Sequence, residues 1–347
     1  MINNAIKILV LFAFSSLLAV LWTPILTHFL YKYKMWRKKA RTKTIDGKPA
    51  LVFHALHKDK EVNTPRMGGL LIWVTTLFVI FFFSTLSTVF NFKYLDFLSR
   101  EQTWLPLAVL IASSILGLFD DLFQIISKGK YAGGGIRFTR RLGLVFLIGF
   151  FSAYWFYFKL GFHTIHIPGN GDIELGLWYF PLFIITVLAC WSGGAIDGID
   201  GLSGGAFSIM FGAFGIIAFT NQQYDLASFC AVIAGTTLAF LWFNIPPARF
   251  YMGETGTMGL TATLAVVAFL TDSLVVLPII AFLLVVESAS IILQLFWKRV
   301  FKKKLFLCAP IHHHFEAKGW GRDKITMRFW IVGVVTAIIG VAIRLLG

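Results

Sequence analysis

Charge is scarce in this chain, and acid is the scarcest of it. Only 14% of the 347 residues are charged, and just 17 are Asp or Glu, where soluble domains carry nearer a quarter. With 57% hydrophobic residues and a mean hydropathy of +0.77, that deficit excludes a water-soluble globular domain. Cysteine is almost missing too. Cys190, Cys230 and Cys308 fall in or beside apolar runs without paired spacing, so no disulfide framework is expected. Low-complexity tracts and an appended soluble domain are absent. So is a convincing internal repeat, which argues against a carrier built from inverted halves. The ten-residue alternation of barrel spans is not seen either.

What the chain has instead is long apolar runs of the length a helix needs to cross a bilayer. Ten candidate spans stand out, near 5–30, 68–90, 104–126, 142–160, 177–196, 203–220, 226–244, 257–271, 273–297 and 328–346. The expectation is an all-α integral membrane protein of about ten transmembrane helices, folded as one polytopic domain over 1–347. The first run lacks a charged leader and an A-x-A site, and is read as a retained span. Lys and Arg set the orientation. Eleven fall in 31–67, five in 127–141 and nine in 298–328, whereas Lys7, Lys93, Arg100, Lys159 and Arg344 lie on the other side. Odd-to-even connections are therefore expected on the cytoplasmic side, with both termini outside. Between the fourth and fifth spans, "HTIHI" and "DIEL" flank Pro-Gly-Asn-Gly and predict a small periplasmic β-hairpin.

The few acids are unevenly placed. Asp120 and Asp121 interrupt "SSILGLFDDLFQII", although one charge at the bilayer centre costs about 2.5–3.5 kcal/mol. The topology puts them at the cytoplasmic edge of the third span. Asp197 and Asp200 in "GGAIDGIDGLSGG" and Glu254 in "YMGETG" fall on the same side. Each has a plain reading: a solvated helix end, a Gly-Asp turn, or an acid at the positive end of a helix. Taken together, three distant segments supply five carboxylates to one surface beside basic connections. Phosphoryl transfer with Mg²⁺ needs such a cluster, because magnesium takes oxygen ligands and is held by one or two carboxylates plus substrate phosphates. Nearby glycines let backbone N–H groups approach a pyrophosphate.

In "APIHHHFEAKGW", His312, His313 and His314 are adjacent, so their side chains diverge and one shared metal is not expected. One or two are read as donors to phosphate or sugar oxygens, with the third packing or capping. "WKRVFKKK" reads as a juxtamembrane anchor for anionic headgroups. Lys58, Lys60 and Arg66 in "LHKDKEVNTPRMGG" can meet a phosphate or simply obey the orientation rule.

"GLFDDL", "DGIDGL", "FNIPPARFYMGETG", "VVESASIILQ" and above all "APIHHHFEAKGW" resemble the phospho-N-acetylmuramoyl-pentapeptide transferases, a branch of the polyprenyl-phosphate sugar-1-phosphate transferases. The resemblance runs from "NTPRMGG" to the last helix. It implies transfer of phospho-MurNAc-pentapeptide from UDP-MurNAc-pentapeptide to undecaprenyl phosphate, giving lipid I and UMP in peptidoglycan synthesis. It further implies Mg²⁺, a bacterial inner-membrane location with cytoplasmic active-site loops, contact with membrane lipids, a homodimer, and no nucleic acid. By motif match, Asp120, Asp121 and Glu254 are the expected catalytic and metal-binding residues. Lys60, Asp197, Asp200, Asn244, His312, His313 and His314 are the expected substrate-binding ones. The chain departs from the family pattern at Trp191, Gly194 and Ile196, at Glu254 where relatives have Asp, and at Arg141 where a lysine is usual. The rival readings are a transferase of another sugar-1-phosphate, such as GlcNAc-1-phosphate, and a transporter or flippase.

Overall fold

The computed structural model describes residues 1–38, 52, 54, 55, 57, 62–126 and 135–347; Lys58 and Lys60 lie outside them. In hydrocarbon every backbone polar group must find its partner inside the segment, so apolar runs become helices. Those helices are α1 (Ile2–Lys32), α2 (Leu70–Phe90), α3 (Trp104–Ile126), α4 (Phe138–Tyr154), α5 (Tyr179–Ser192), α6 (Leu202–Thr220) and α7 (Tyr224–Asn244). They are followed by α8 (Glu254–Leu270), α9 (Leu277–Ile280), α10 (Phe282–Phe301), α11 (Ile311–Ala317) and α12 (Arg322–Leu346). Eight segments among the described residues are long and apolar enough to span a bilayer: seven begin in α1 to α7 or just before them, and the eighth is α12.

The last third departs from the expected run of spans. The segment expected over 257–271 is α8, which starts three residues earlier and holds only 17 residues. At 1.5 Å per residue it is shorter than the hydrocarbon core. It needs no lipid contact of its own, since Thr255–Leu270 are all buried between α2, α3, α5 and α6. The segment expected over 273–297 is divided. A turn at Asp272 in the left-handed region (φ +50°) leads into the short α9 with Pro278 in its first turn, and α10 begins after Ala281.

The hairpin is present, with β1 (Thr164–Ile167) antiparallel to β2 (Gly171–Glu174) and Ile165 opposite Ile173. It sits at the end of the bundle away from Glu254, where Asp272 Oδ1 accepts the His166 N–H at 3.0 Å. Lys7 is at that end as well. It is nearly buried because it pairs with Asp225 at 3.2 Å and donates to the Asp96 carbonyl at 2.6 Å.

Glycine permits the crossings that build the other end. A Cβ on Gly117 of α3 would stand 2.0 Å from the Glu254 carbonyl oxygen, and one on Gly69 would stand 2.3 Å from Gly256 Cα. Overpacking a tight contact costs about 1–3 kcal/mol. Gly117→Val is therefore expected to lower the thermal unfolding midpoint of the detergent-solubilised protein clearly, and Gly143→Val hardly at all, since nothing lies within 4 Å of a Cβ there.

Candidate active site

The site is organised around the first turn of α8. The opening N–H groups of a helix have no partners within it, and this turn is buried inside the bundle. Carboxylates from two other segments supply them. Asp197 Oδ2 accepts the Gly253 N–H at 3.0 Å, and Asp121 Oδ2 accepts the Thr255 N–H at 3.0 Å. Gly253 has φ +72°, and a Cβ there would lie 2.4 Å from Asp121 Oδ2. Only glycine fits both the conformation and the contact.

The segment before α2 closes the turn from the other side. Gly68 and Gly69 donate their N–H groups to the Tyr251 and Met252 carbonyls, both at 2.8 Å, and Tyr251 N–H donates to the Pro65 carbonyl at 2.8 Å. This pairing carries Arg66 to Asp121, with Nε 3.3 Å from Oδ1. "NTPRMGG" and "YMGETG" are thus one backbone ladder.

Asp120, fully buried, is surrounded by donors. Ile136 N–H reaches Oδ1 at 2.6 Å, Gln124 Nε2 reaches Oδ2 at 2.5 Å, and Arg141 Nη1 reaches Oδ2 at 3.3 Å. Arg37 donates in turn to Gln124 Oε1. The same Arg141 Nη1 lies 2.9 Å from Glu254 Oε1. Oxygens of Asp120 and Glu254, from α3 and α8, therefore converge on a single cationic nitrogen. Glu254 is the more open of the two, with its side chain 27% exposed. A hard, all-oxygen pair already gathered around a positive group and open on one side suits Mg²⁺.

The neighbouring carboxylate of the loop, Asp197, is half-buried. Burial pushes its carboxyl above the ordinary range, against the lowering effects of Arg66, Ser203 and the Gly253 N–H. Ser203 Oγ donates to its second oxygen at 2.8 Å. Asp200 and Asn244 have a different place. Asp200 Oδ2 accepts the Ala248 N–H at 3.3 Å. Asn244 accepts from Gly201 N–H at 2.9 Å and donates to the Phe250 carbonyl at 2.8 Å. Both are almost fully buried and hold the 245–250 connection against the start of α6. Among the departures from the family pattern, Trp191 stacks on Phe138 with centroids 5.7 Å apart, Gly194 faces Thr257 and Ile196 is buried.

The histidines divide as adjacency requires. His312 Nδ1 lies 2.8 Å from Glu287 Oε2 of α10, and His313 Nδ1 lies 3.0 Å from Glu316 Oε2. Their Nε2 atoms both border Gly198, where a Cβ would stand 2.1 Å from His312 and 3.0 Å from His313. Gly198 follows Asp197, so the histidines abut the same loop that caps α8. His314 turns away, accepting the Leu307 N–H at 3.1 Å.

Three further partners were invisible as site residues in the sequence: His57, Glu316 and Arg322. Glu316 accepts from His57 Nε2 at 2.8 Å and from Arg322 Nε at 2.6 Å, besides its contact with His313. Burial alone would raise the Glu316 carboxyl; the hydrogen bonds from His313 and His57 and the charge of Arg322 hold it far below the ordinary carboxylate range. His57, His313 and Glu316 also have the proximity of a metal triad. Arg322 Nη2 lies 3.3 Å from His57 Nδ1, however, and a guanidinium can only donate. His57 Nδ1 is thus the acceptor and Nε2 carries the proton given to Glu316, which leaves that nitrogen no lone pair for a metal.

Burial first, then the crowding of the imidazoles of His312 and His57 beside it, keeps His313 well below its ordinary pKa of 6.5. Because the folded pKa is depressed, the unfolded chain takes up this proton first as pH falls below 6.5. Stability is then expected to decline from pH 7 to pH 5, and His313→Gln to flatten that slope, read from unfolding midpoints in detergent. The Glu316 contribution is already complete above ordinary carboxylate pKa values and persists through that window.

The family model for glycosyl transferase family 4 matches residues 103–272, the stretch that carries Asp120, Asp121, Asp197, Asp200, Asn244 and Glu254. A phospho-N-acetylmuramoyl-pentapeptide-transferase of Geobacillus sp. is 35% identical over 297 residues, 82% of this chain and 85% of its own length. That of Listeria monocytogenes serovar 1/2a is 34% identical over 340 residues, 96% of each chain. That of Chloroflexus aurantiacus is 32% identical over 301 residues, 82% of this chain and 78% of its own. With this identity along most of its length, the chain belongs to the phospho-N-acetylmuramoyl-pentapeptide-transferase family.

Proposed function

We propose that this protein moves phospho-MurNAc-pentapeptide from UDP-MurNAc-pentapeptide to undecaprenyl phosphate, forming lipid I and UMP for peptidoglycan synthesis. The reaction takes place at the cytoplasmic face of the bacterial inner membrane and uses Mg²⁺. The observation that carries this reading is the convergence of Asp120 and Glu254 on one cationic position, beside a buried helix start and Arg66. Family membership supplies the substrates. The distribution of Lys and Arg supports the orientation.

In this reaction an oxygen of the lipid phosphate forms a bond to the β-phosphorus of the nucleotide sugar. The bond from that phosphorus to the bridging oxygen breaks, and UMP leaves with the electron pair. A phosphate monoester with a second pKa near 6 is largely dianionic at neutral pH, so the nucleophile needs placement and charge relief more than deprotonation. Asp120 and Glu254 would hold Mg²⁺, which when bound supplies positive charge against the diphosphate and the departing UMP. Arg66 and Arg141 bring two permanent cations to the same place. Asp120 orients the incoming phosphate and accepts a proton from its monoanion. Asp121 works through the protein, since it joins α3 to the first turn of α8 and thereby fixes Glu254. His312 and His313 support the nucleotide-sugar loop at Gly198, with Glu287 and Glu316 setting their ring orientations.

Purified protein given UDP-MurNAc-pentapeptide and undecaprenyl phosphate is expected to release UMP, and EDTA to abolish that release. UDP-GlcNAc in place of the muramoyl substrate is expected to yield none. Asp120→Asn is expected to lower turnover by about 10²–10⁴-fold, the range for losing a positioned acid–base group; near-full turnover at neutral pH would remove Asp120 from the role.

A further inference from the structure

Arg141 stands on the first turn of α4, and one of its nitrogens bridges two carboxylates that are far apart in sequence. Nη1 is 2.9 Å from Glu254 Oε1 and 3.3 Å from Asp120 Oδ2. Asp120 is fully buried, and the Arg141 side chain is 12% exposed. Two carboxylates facing each other without a cation would repel and splay α3 from the start of α8. The guanidinium prevents this and cannot lose its proton to do otherwise. Its position is therefore that of a resident counter-ion, at the point where a divalent ion would use the same two oxygens.

A guanidinium and a divalent cation cannot share that pair, because the same lone pairs serve both and their charges repel. One must leave for the other to bind. Glu254 is the partner open to water, so the exchange takes place at its side of the bridge. The displaced guanidinium has a planar fork suited to phosphate, and a nucleotide phosphate beside the metal gives it a new partner.

Resting on the reading that Mg²⁺ binds Asp120 and Glu254, we propose that Arg141 is a built-in cation exchanged for the metal, and that its transfer to the nucleotide phosphate couples metal binding to nucleotide binding. Alone, either ligand must break the Arg141 bridge. Bound together, the metal takes the carboxylates and the phosphate takes the arginine. The coupling is reciprocal by thermodynamic necessity.

Mn²⁺ serves as the probe, its free concentration read by electron paramagnetic resonance with full-length protein in detergent, with and without UMP. In the wild type, UMP is expected to tighten Mn²⁺ binding on the order of tenfold, within the usual span of allosteric couplings. Arg141→Gln is expected to bind Mn²⁺ on the order of tenfold more tightly without UMP, and to lose most of the response to UMP. Arg141→Lys, which keeps the cation, is expected to retain weak binding without UMP. Thermal unfolding in the absence of metal establishes that each variant is folded; should Arg141→Gln not fold, tight UMP-independent binding by Arg141→Lys would overturn the exchange. If Arg141→Gln binds Mn²⁺ no more tightly than the wild type while Glu254→Gln abolishes binding, the exchange is wrong and the metal site stands. If the wild type binds no Mn²⁺ with or without UMP, or Glu254→Gln binds it like the wild type, the metal reading itself fails and the exchange with it.

Discussion

The rest of the site depends on the buried beginning of α8. A helix that starts inside a protein in a membrane brings unpaired N–H donors to a place with no water to satisfy them. Asp197 and Asp121 answer the Gly253 and Thr255 donors, and by doing so they bring α3 and the 193–201 loop to one point. Glu254 is the first residue of that helix, so capping the turn also fixes the carboxylate that faces outward. The site's acids thus differ in function. Asp121 and Asp197 are structural anchors for the turn, whereas Asp120 and Glu254 present oxygens to a cation.

A second constraint joins the histidine segment to this frame. Gly198 lies against the Nε2 atoms of His312 and His313, while their Nδ1 atoms face Glu287 and Glu316. Glu316 collects His57, His313 and Arg322, so it fastens the connection after α1 and the start of α12 to the short α11. The same carboxylate geometry that attracts a metal assignment is explained by an arginine that cannot accept a proton. The buried charges of this site are arranged in small closed groups, as a low-dielectric surrounding demands of buried ions.

Much of this was legible in the residues. An Asp pair inside "GLFDDL" is costly in hydrocarbon and therefore marks an edge with a purpose. "PGNG" between alternating segments gave a hairpin in the expected place, with Ile165 opposite Ile173. Asp200 and Asn244, expected as substrate contacts, also hold the 245–250 connection through Asp200 Oδ2 and the Asn244 amide; a carboxylate or amide serving backbone looks the same in sequence as one serving a ligand. Glu287 is a lone acid in an apolar run, as costly in hydrocarbon as Asp120 and legible in the same way. Glu316 and Arg322 gave no such signal, because charged residues in a basic connection need no explanation until their partners are seen.

The sequence by itself determined the class of molecule and the number of long elements, to within the short α8, the division before α10 and the unexpected α11. Hydrophobic length and the obligation to satisfy backbone groups are local properties that a chain carries with it. It also determined which residue types were available for chemistry, through a few acids in an otherwise apolar chain. Only the tertiary structure decided how those acids divide their work. Whether a carboxylate receives a helix N–H, a histidine or an arginine depends on partners from other segments, some more than a hundred residues away, as with Arg141 and Glu254, and only helix packing brings such partners together.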